Sequence, residues 1–256
     1  MPELPEAETI ARTLAPHIEG RRILEARFFT RRVLRGEAPG LKGRRVHRVR
    51  RHGKAVVFEL DRGLLFVKLG MTGALLLNRE PGPHTRAWFR IDGCTLCFDD
   101  IRQFGSVAFL DRPPDRLGPD PLEIGRAEFL ARLRTKKALA KRLLLDQRFL
   151  RGLGNIYTDE ALFRAGIHPL ARAQRLSQRR GERLHAAIVA VLEEAIAAGG
   201  SSVSNYVDAA GKRGRFQQFH QVYRREGQPC MRCGSPIQYT VVAQRGTRYC
   251  PRCQKP

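Results

Sequence analysis

Apolar positions change their spacing twice along the chain, and each change marks a different kind of structure. After Pro5, the stretch from Glu6 to Ile18 sets Ile10, Leu14 and Ile18 at i, i+4 and i+8, with acids in its first turn, which predicts an amphipathic helix. From Ile23 to Leu110 the texture becomes short alternating segments at 46–60, 64–69, 74–77, 87–91, 94–98 and 106–110, divided by glycine-containing turns. Many short strands at that spacing predict a β-sandwich or barrel. Prolines 113, 114, 119 and 121 then break the pattern, so 113–125 reads as a linker. Helical periodicity follows over 127–133, 138–150, 156–165 and 178–198, the last with Leu184, Ile188, Val191, Leu192 and Ile196 on one face. A polar, glycine-rich stretch from Ser201 to Arg215 leads into a cysteine-bearing end. The expected class is α+β: a helix plus β-sandwich over 1–112, a helical domain over 126–216 and a small module over 217–256.

Charge narrows the partners. Among 256 residues, Lys+Arg 47 against Asp+Glu 25 gives a net charge of +22, the sign that neutralises polyphosphate and releases its counterions. The excess is arginine, 39 Arg to 8 Lys, which suits bidentate phosphate contacts. It is concentrated: residues 21–54 hold 13 bases and 2 acids, and residues 201–256 hold 10 and 2. A solvated arginine-rich surface has the same composition, so charge alone leaves that reading open. The longest apolar runs, at 64–67 and 74–77, fall far short of the roughly 20 residues that cross a bilayer, and no basic-then-apolar leader opens the sequence. Membrane and secreted proteins are disfavoured.

Cys230-x-x-Cys233 and Cys250-x-x-Cys253, sixteen residues apart, fit the zinc pattern in which each short pair turns two thiolates toward one tetrahedral ion. The alternation of Ile237, Tyr239 and Val241, then Gln244-Arg245-Gly246 and Tyr249, predicts a β-hairpin between the pairs with Arg245 at its tip. Cys94 and Cys97 repeat the C-x-x-C spacing inside an apparent strand, where residues three apart face opposite ways, so they read as core thiols.

Two further segments carry candidate chemistry. Residues 147–169 read as a helix end, Gly152 and Gly154 permitting positive φ, then Asn155 opening a new helix that stops at Gly166. Such a helix start can hold a phosphate, and a plain αα-hairpin with a capping Asn has the same pattern. At the other end, a small residue after Met1 favours initiator removal and exposes Pro2 as a secondary amine. A terminal amine has an ordinary pKa of about 7.7–8.0, so part of it is a free nucleophile near neutrality. The same residues equally make a helix start, with Pro5 near N1 and Glu3, Glu6 and Glu8 facing the dipole.

Together, PELPEAET, GNIYTDEALFRAGIHP and the terminal REGQPCMRCG and RGTRYCPRCQ resemble the formamidopyrimidine-DNA glycosylase (Fpg/Nei) family over essentially the whole chain. Leu4 within PELPE is similar to the formamidopyrimidine branch. The resemblance implies a helix-two-turn-helix in the helical domain and one structural Zn2+ on Cys230, Cys233, Cys250 and Cys253. It also implies damaged double-stranded DNA as partner, a monomer, and a bacterial cytoplasmic, nucleoid-associated setting. The implied activity is a bifunctional glycosylase and abasic-site lyase of base excision repair acting on oxidised purines. Two alternatives stay open: an oxidised-pyrimidine glycosylase of the same family, and a zinc-dependent DNA-binding protein without catalysis.

By resemblance, Pro2 is the nucleophile toward C1′, Glu3 the general acid/base and Lys54 a catalytic-site lysine at a phosphate near the lesion. Asn155 and Arg245 are phosphate clamps, and Met71, Arg102 and Phe104 fill the void left by an extruded nucleotide. Residues 207–220 correspond to the lesion-capping loop. The sequence departs from the family's Asp-Pro-Arg-Arg-Phe-Gly at Ile101 and Gln103.

Overall fold

The computed structural model describes residues 2–37 and 40–256, which form two compact units: Met1–Asp115 with Ile196–Gln217, and Arg116–Ala195 with Gln218–Pro256. In the first, helix α1 (Leu4–Ile18) precedes nine strands: β1 (Ile23–Phe28), β2 (Leu34–Arg35), β3 (Val46–His52), β4 (Ala55–Leu60), β5 (Leu64–Lys68), β6 (Gly73–Leu77), β7 (Thr85–Ile91), β8 (Cys94–Asp100) and β9 (Ser106–Leu110). They make a four-stranded sheet ordered β1-β7-β8-β6 and a five-stranded sheet ordered β2-β9-β5-β4-β3. Alternate residues of both sheets, among them Phe89, Leu96 and Phe98 from one and Val49, Phe58 and Val67 from the other, share a single core with Ile10, Leu14 and Ile18 of α1. That arrangement is the sandwich read from the alternation. β4 is apolar on both faces because Val57 joins Ala55 and Phe66 in a second cluster behind the sheet.

Helix α1 begins earlier than periodicity indicates, at Leu4. Glu3 and Glu6 form a reciprocal capping box, with the Glu3 N–H donating to Glu6 Oε2 at 2.7 Å, and Pro5 takes a position whose missing N–H costs nothing.

The second unit contains α2 (Arg126–Arg134), α3 (Ala140–Leu145), α4 (Asn155–Ala165), most of α5 (Gln178–Ala197) and a hairpin of β10 (Gln238–Val242) and β11 (Arg245–Tyr249). The helix expected over 138–150 is only six residues long. The chain turns extended at Asp146, and the Gln147 side chain wires the following turn, donating to Leu145 O at 3.1 Å and Leu153 O at 2.8 Å and accepting from Gly152 N at 2.9 Å. Gly152 sits at φ +102° inside it.

Two boundaries differ from the sequence reading. Residues 196–217 do not stay with the helical domain. Glu6 Oε1 accepts the Ser201 N–H at 2.7 Å, Leu77 donates to Ala209 O at 2.9 Å, and Tyr206 and Ala209 join the sandwich core. The cysteine module is not separate either, because Phe163 of α4 packs with Val222, Cys230, Ile237 and Cys250. No helix among the described residues is long and apolar enough to cross a membrane.

Candidate functional site

In the first unit the residues singled out at the chain start lie on the entry to α1. Pro2 and Glu3 are both buried, Glu3 at 2% exposure. The Glu3 carboxylate accepts the Glu6 backbone N–H, and Glu6 is itself anchored on Ser201, so the first turn is fixed from both sides. Met1, whose removal would free the Pro2 amine, lies outside the described residues. Lys54 is half-buried on the two-residue turn between β3 and β4, after Gly53 at φ +61°. The hairpin carrying it is tied to α1 by an ion pair of Arg51 with Glu8 at 3.0 Å, Arg51 being nearly buried.

Met71, Arg102 and Phe104 do come together. Met71 follows β5, Arg102 and Phe104 follow β8, and the guanidinium of Arg102 lies between the other two side chains. Its Nη1 is 3.5 Å from Met71 Sδ and its Cζ is 4.5 Å from the Phe104 ring centre. Neither Met71 nor Phe104 is core: they are 43% and 55% exposed, and Ile101 beside them is 52% exposed. Gln103 sits in the left-handed region at φ +54°.

The second unit brings Asn155 and Arg245 to one place. Asn155 is the first residue of α4, after Gly154, and makes no cap. Its amide Nδ2 donates instead to Gly246 O at 2.9 Å, beside Arg245. The turn of the hairpin is formed by Ala243 and Gln244, at φ +51° and +58°, and Arg245 is the exposed residue that follows it rather than the tip itself.

A buried network that periodicity did not flag holds this corner. Lys141 of α3, fully buried, donates to Asp159 Oδ1 of α4 at 2.7 Å and to Gly246 O at 3.1 Å, while Asp159 Oδ2 accepts the Arg248 N–H at 3.1 Å. Burial pushes the Asp159 carboxyl up to about 7 against the pull of Lys141. Next to it, Glu160, also fully buried, accepts backbone N–H groups of Gln221, Val222 and Tyr223 at 2.9–3.0 Å. Its carboxyl is raised by burial, those hydrogen bonds opposing the shift. Two consecutive acids at the centre of a short helix, Asp159-Glu160 in NIYTDEALF, were the available signal.

The four cysteines meet, with every sulfur within 4.8 Å of the others. A tetrahedral ion with Zn–S of about 2.3 Å needs sulfurs roughly 3.8 Å apart, and the Cys230–Cys253 and Cys233–Cys250 separations are 3.9 and 3.4 Å. The donor set fits. Cys97 is a core thiol as expected, whereas Cys94 is half-buried with its sulfur 3.6 Å from His17 O.

Comparison with known proteins decides the family. Residues 1–107 match the formamidopyrimidine-DNA glycosylase N-terminal domain, 117–207 its H2TH domain, and 227–256 the zinc finger found in FPG and IleRS. A formamidopyrimidine-DNA glycosylase of Solibacter usitatus is 50% identical over 264 residues, covering 100% of both chains. The chain belongs to the formamidopyrimidine-DNA glycosylase family. As a member it is a DNA-repair glycosylase and lyase with one structural Zn2+ on its four C-terminal cysteines. Solved glycosylases of this family have the same fold. The MutM (FPG) protein of Thermus thermophilus superposes with a TM-score of 0.90 at 42% identity, covering 99% of this chain and 98% of that one. The Lactococcus lactis Fpg, solved in complex with DNA containing an abasic site, gives 0.91 at 33% identity over 99% of this chain and 100% of that one.

Proposed function

We propose that this glycosylase removes oxidised purines from double-stranded DNA through a Schiff base on Pro2 and then cuts the strand on both sides of the lesion. The observation that supports the reading is the buried, capped chain start: with Met1 removed, Pro2 would present a secondary amine beside the buried Glu3 carboxylate at the entry to α1.

Attack of the Pro2 nitrogen forms an N–C1′ bond as the glycosidic bond breaks and the base leaves with a proton. The C1′–O4′ bond then breaks, opening the sugar ring as O4′ takes a proton, and because the amine is secondary the product is a cationic iminium, which withdraws electrons from C2′. Loss of a 2′-proton then expels the 3′-phosphate, loss of a further proton expels the 5′-phosphate, and water hydrolyses the iminium to restore the amine. Glu3 is the group placed to give a proton to the sugar oxygen and to move the later ones. Lys54, on its hairpin turn, supplies a cation for a phosphate beside the lesion.

The base must leave the stack before C1′ is reached, and Met71, Arg102 and Phe104 form a wedge suited to the vacated space: an aliphatic tip, a hydrogen-bond donor and an aromatic face. Asn155 keeps a second amide N–H after its bond to Gly246, and the exposed Arg245 guanidinium follows the hairpin turn, so both suit phosphate oxygens.

Single-turnover excision from duplexes carrying 8-oxoguanine or thymine glycol tests the lesion class. Faster excision of the purine supports the reading, and preference for thymine glycol overturns it in favour of the oxidised-pyrimidine alternative.

A further inference from the structure

The wedge side chains sit on two separate turns, and the structure joins those turns through one buried carboxylate. Asp100, the last residue of β8, pairs in register with Gly73, the first of β6, so both turns leave the sheet at the same end of neighbouring strands. Asp100 is fully buried and has no ion-pair partner among the described residues. Its Oδ2 accepts the Gly105 N–H at 2.7 Å, and its Oδ1 accepts the Thr72 hydroxyl at 2.5 Å. The same Thr72 oxygen accepts the Arg102 backbone N–H at 3.0 Å. One relay therefore runs from the backbone of Arg102 through the neighbour of Met71 to a carboxylate that also holds the residue after Phe104.

The two backbones are also in direct contact. Gly70 has φ +63°, and a Cβ there would lie 2.6 Å from Phe104 C and from Gly105 N; a Cβ on Gly105 would lie 2.7 Å from Lys68 O and 3.0 Å from Asp100 Oδ2. Burying a carboxylate without a cation is costly, and an apolar pair could close the sheet end more cheaply. What an apolar pair could not do is fix the direction of the Arg102 backbone relative to Met71.

We propose that Thr72 is a positioning residue, bridging the Met71 turn to Asp100 so that Met71, Arg102 and Phe104 enter the duplex as one rigid piece. This rests on the wedge reading given above. Unstacking a base step opposes insertion, and a wedge whose two halves move independently gives back part of what insertion returns. Loss of the Thr72 hydroxyl accordingly slows base excision from a duplex far more than it slows strand cleavage where no opposite strand has to be held open.

The test compares Thr72→Val, which removes the hydroxyl at constant shape, with Thr72→Ser, which restores it. Met71→Ala and Phe104→Ala report on the wedge itself. Each variant is assayed, zinc-loaded and at saturating enzyme, for excision of 8-oxoguanine from a duplex and for cleavage of a single-stranded oligonucleotide carrying a preformed abasic site. 2-Aminopurine opposite a stable abasic analogue reports insertion by its change in emission. Thr72→Val is expected to lower the ratio of duplex excision to single-strand cleavage at least tenfold and to blunt the 2-aminopurine response. Thr72→Ser is expected to return both to within threefold of the parent. If Met71→Ala or Phe104→Ala lowers the ratio and Thr72→Val leaves it within twofold, the positioning role is wrong. If all three leave it unchanged, the wedge reading fails, and the positioning role with it. Should Thr72→Val not fold, Thr72→Ala carries the same expectation and the same refutation.

Discussion

Replacing Lys141 with Met would leave the Asp159 carboxylate buried with no cation. The ammonium and the carboxylate are 0% and 1% exposed and 2.7 Å apart, and the pair links α3, α4 and β11 through Gly246 O and the Arg248 N–H. Breaking a buried pair by removing one partner costs about 3–5 kcal/mol, a large part of the roughly 5–15 kcal/mol that holds a domain of this kind together. The double variant Lys141→Met/Asp159→Leu strands no charge. It forfeits hydrogen bonds that include those to Gly246 O and from the Arg248 N–H, at about 1 kcal/mol each. It should therefore be more stable than the single variant by about 1 kcal/mol or more, on the order of the coupling expected for groups in contact. Urea unfolding of the zinc-loaded chain, followed at pH 7 with the slope checked for constancy, measures both. A single variant that loses less than about 1 kcal/mol, or a double variant less stable than the single, would refute the argument that this pair holds the clamp corner.

Three other outcomes follow from particular groups. Burial, aided by Arg224, depresses the His220 imidazole to about 4 from an ordinary 6.5, so the folded chain holds it neutral. Its contribution to stability is complete above pH 6.5 and is lost as pH falls toward 4, by about 3 kcal/mol, and His220→Gln should remove that part of the slope in pH-dependent unfolding; an unchanged slope would exclude His220 as its source. Ala243 and Gln244 both occupy the left-handed region in a two-residue hairpin turn, so Ala243→Asn with Gln244→Gly should raise protection of the β10–β11 amides in hydrogen exchange by about 1–2 kcal/mol. Chelating the zinc should release those same amides and the contacts of Phe163 with Val222 and Ile237 while leaving sandwich amides protected, and uniform loss across both units would contradict that localisation.

Legibility in the sequence followed the range of the interactions. The strand segments read at 64–69, 74–77, 87–91, 94–98 and 106–110, the apolar stripe of α5 and the cysteine knuckles are local patterns that appear within about two residues of their expected places, whereas the segment read as 46–60 is two strands that turn at Gly53-Lys54, and β1 and β2 had no segment of their own. What stayed hidden depends on distant partners. Ser201 is drawn to the sandwich by Glu6, 195 positions away, so a polar stretch that reads as the tail of the helical domain belongs with the other unit. Lys141, Asp159 and Glu160 have no signature in the periodicity, because each is satisfied by a group elsewhere along the chain: Lys141 and Asp159 by each other, 18 positions apart, and Glu160 by backbone N–H groups about 60 positions on. The 138–150 helix was overdrawn because leucine spacing continues past Asp146, while Gln147 competes for the carbonyls at 145 and 153. Arg102 and Phe104 were visible only through the family resemblance, since an exposed aromatic in a strand-end loop has no periodic signature.

If Pro2 is the nucleophile, borohydride trapping on duplex DNA carrying one abasic site captures it covalently. Intact mass first establishes that the protein lacks Met1 and carries zinc. The expected product is a covalent protein–DNA adduct that peptide mapping assigns to Pro2, absent from Pro2→Gly protein. An adduct mapped to a lysine such as Lys54, or none from correctly processed protein that still binds the DNA, would contradict it.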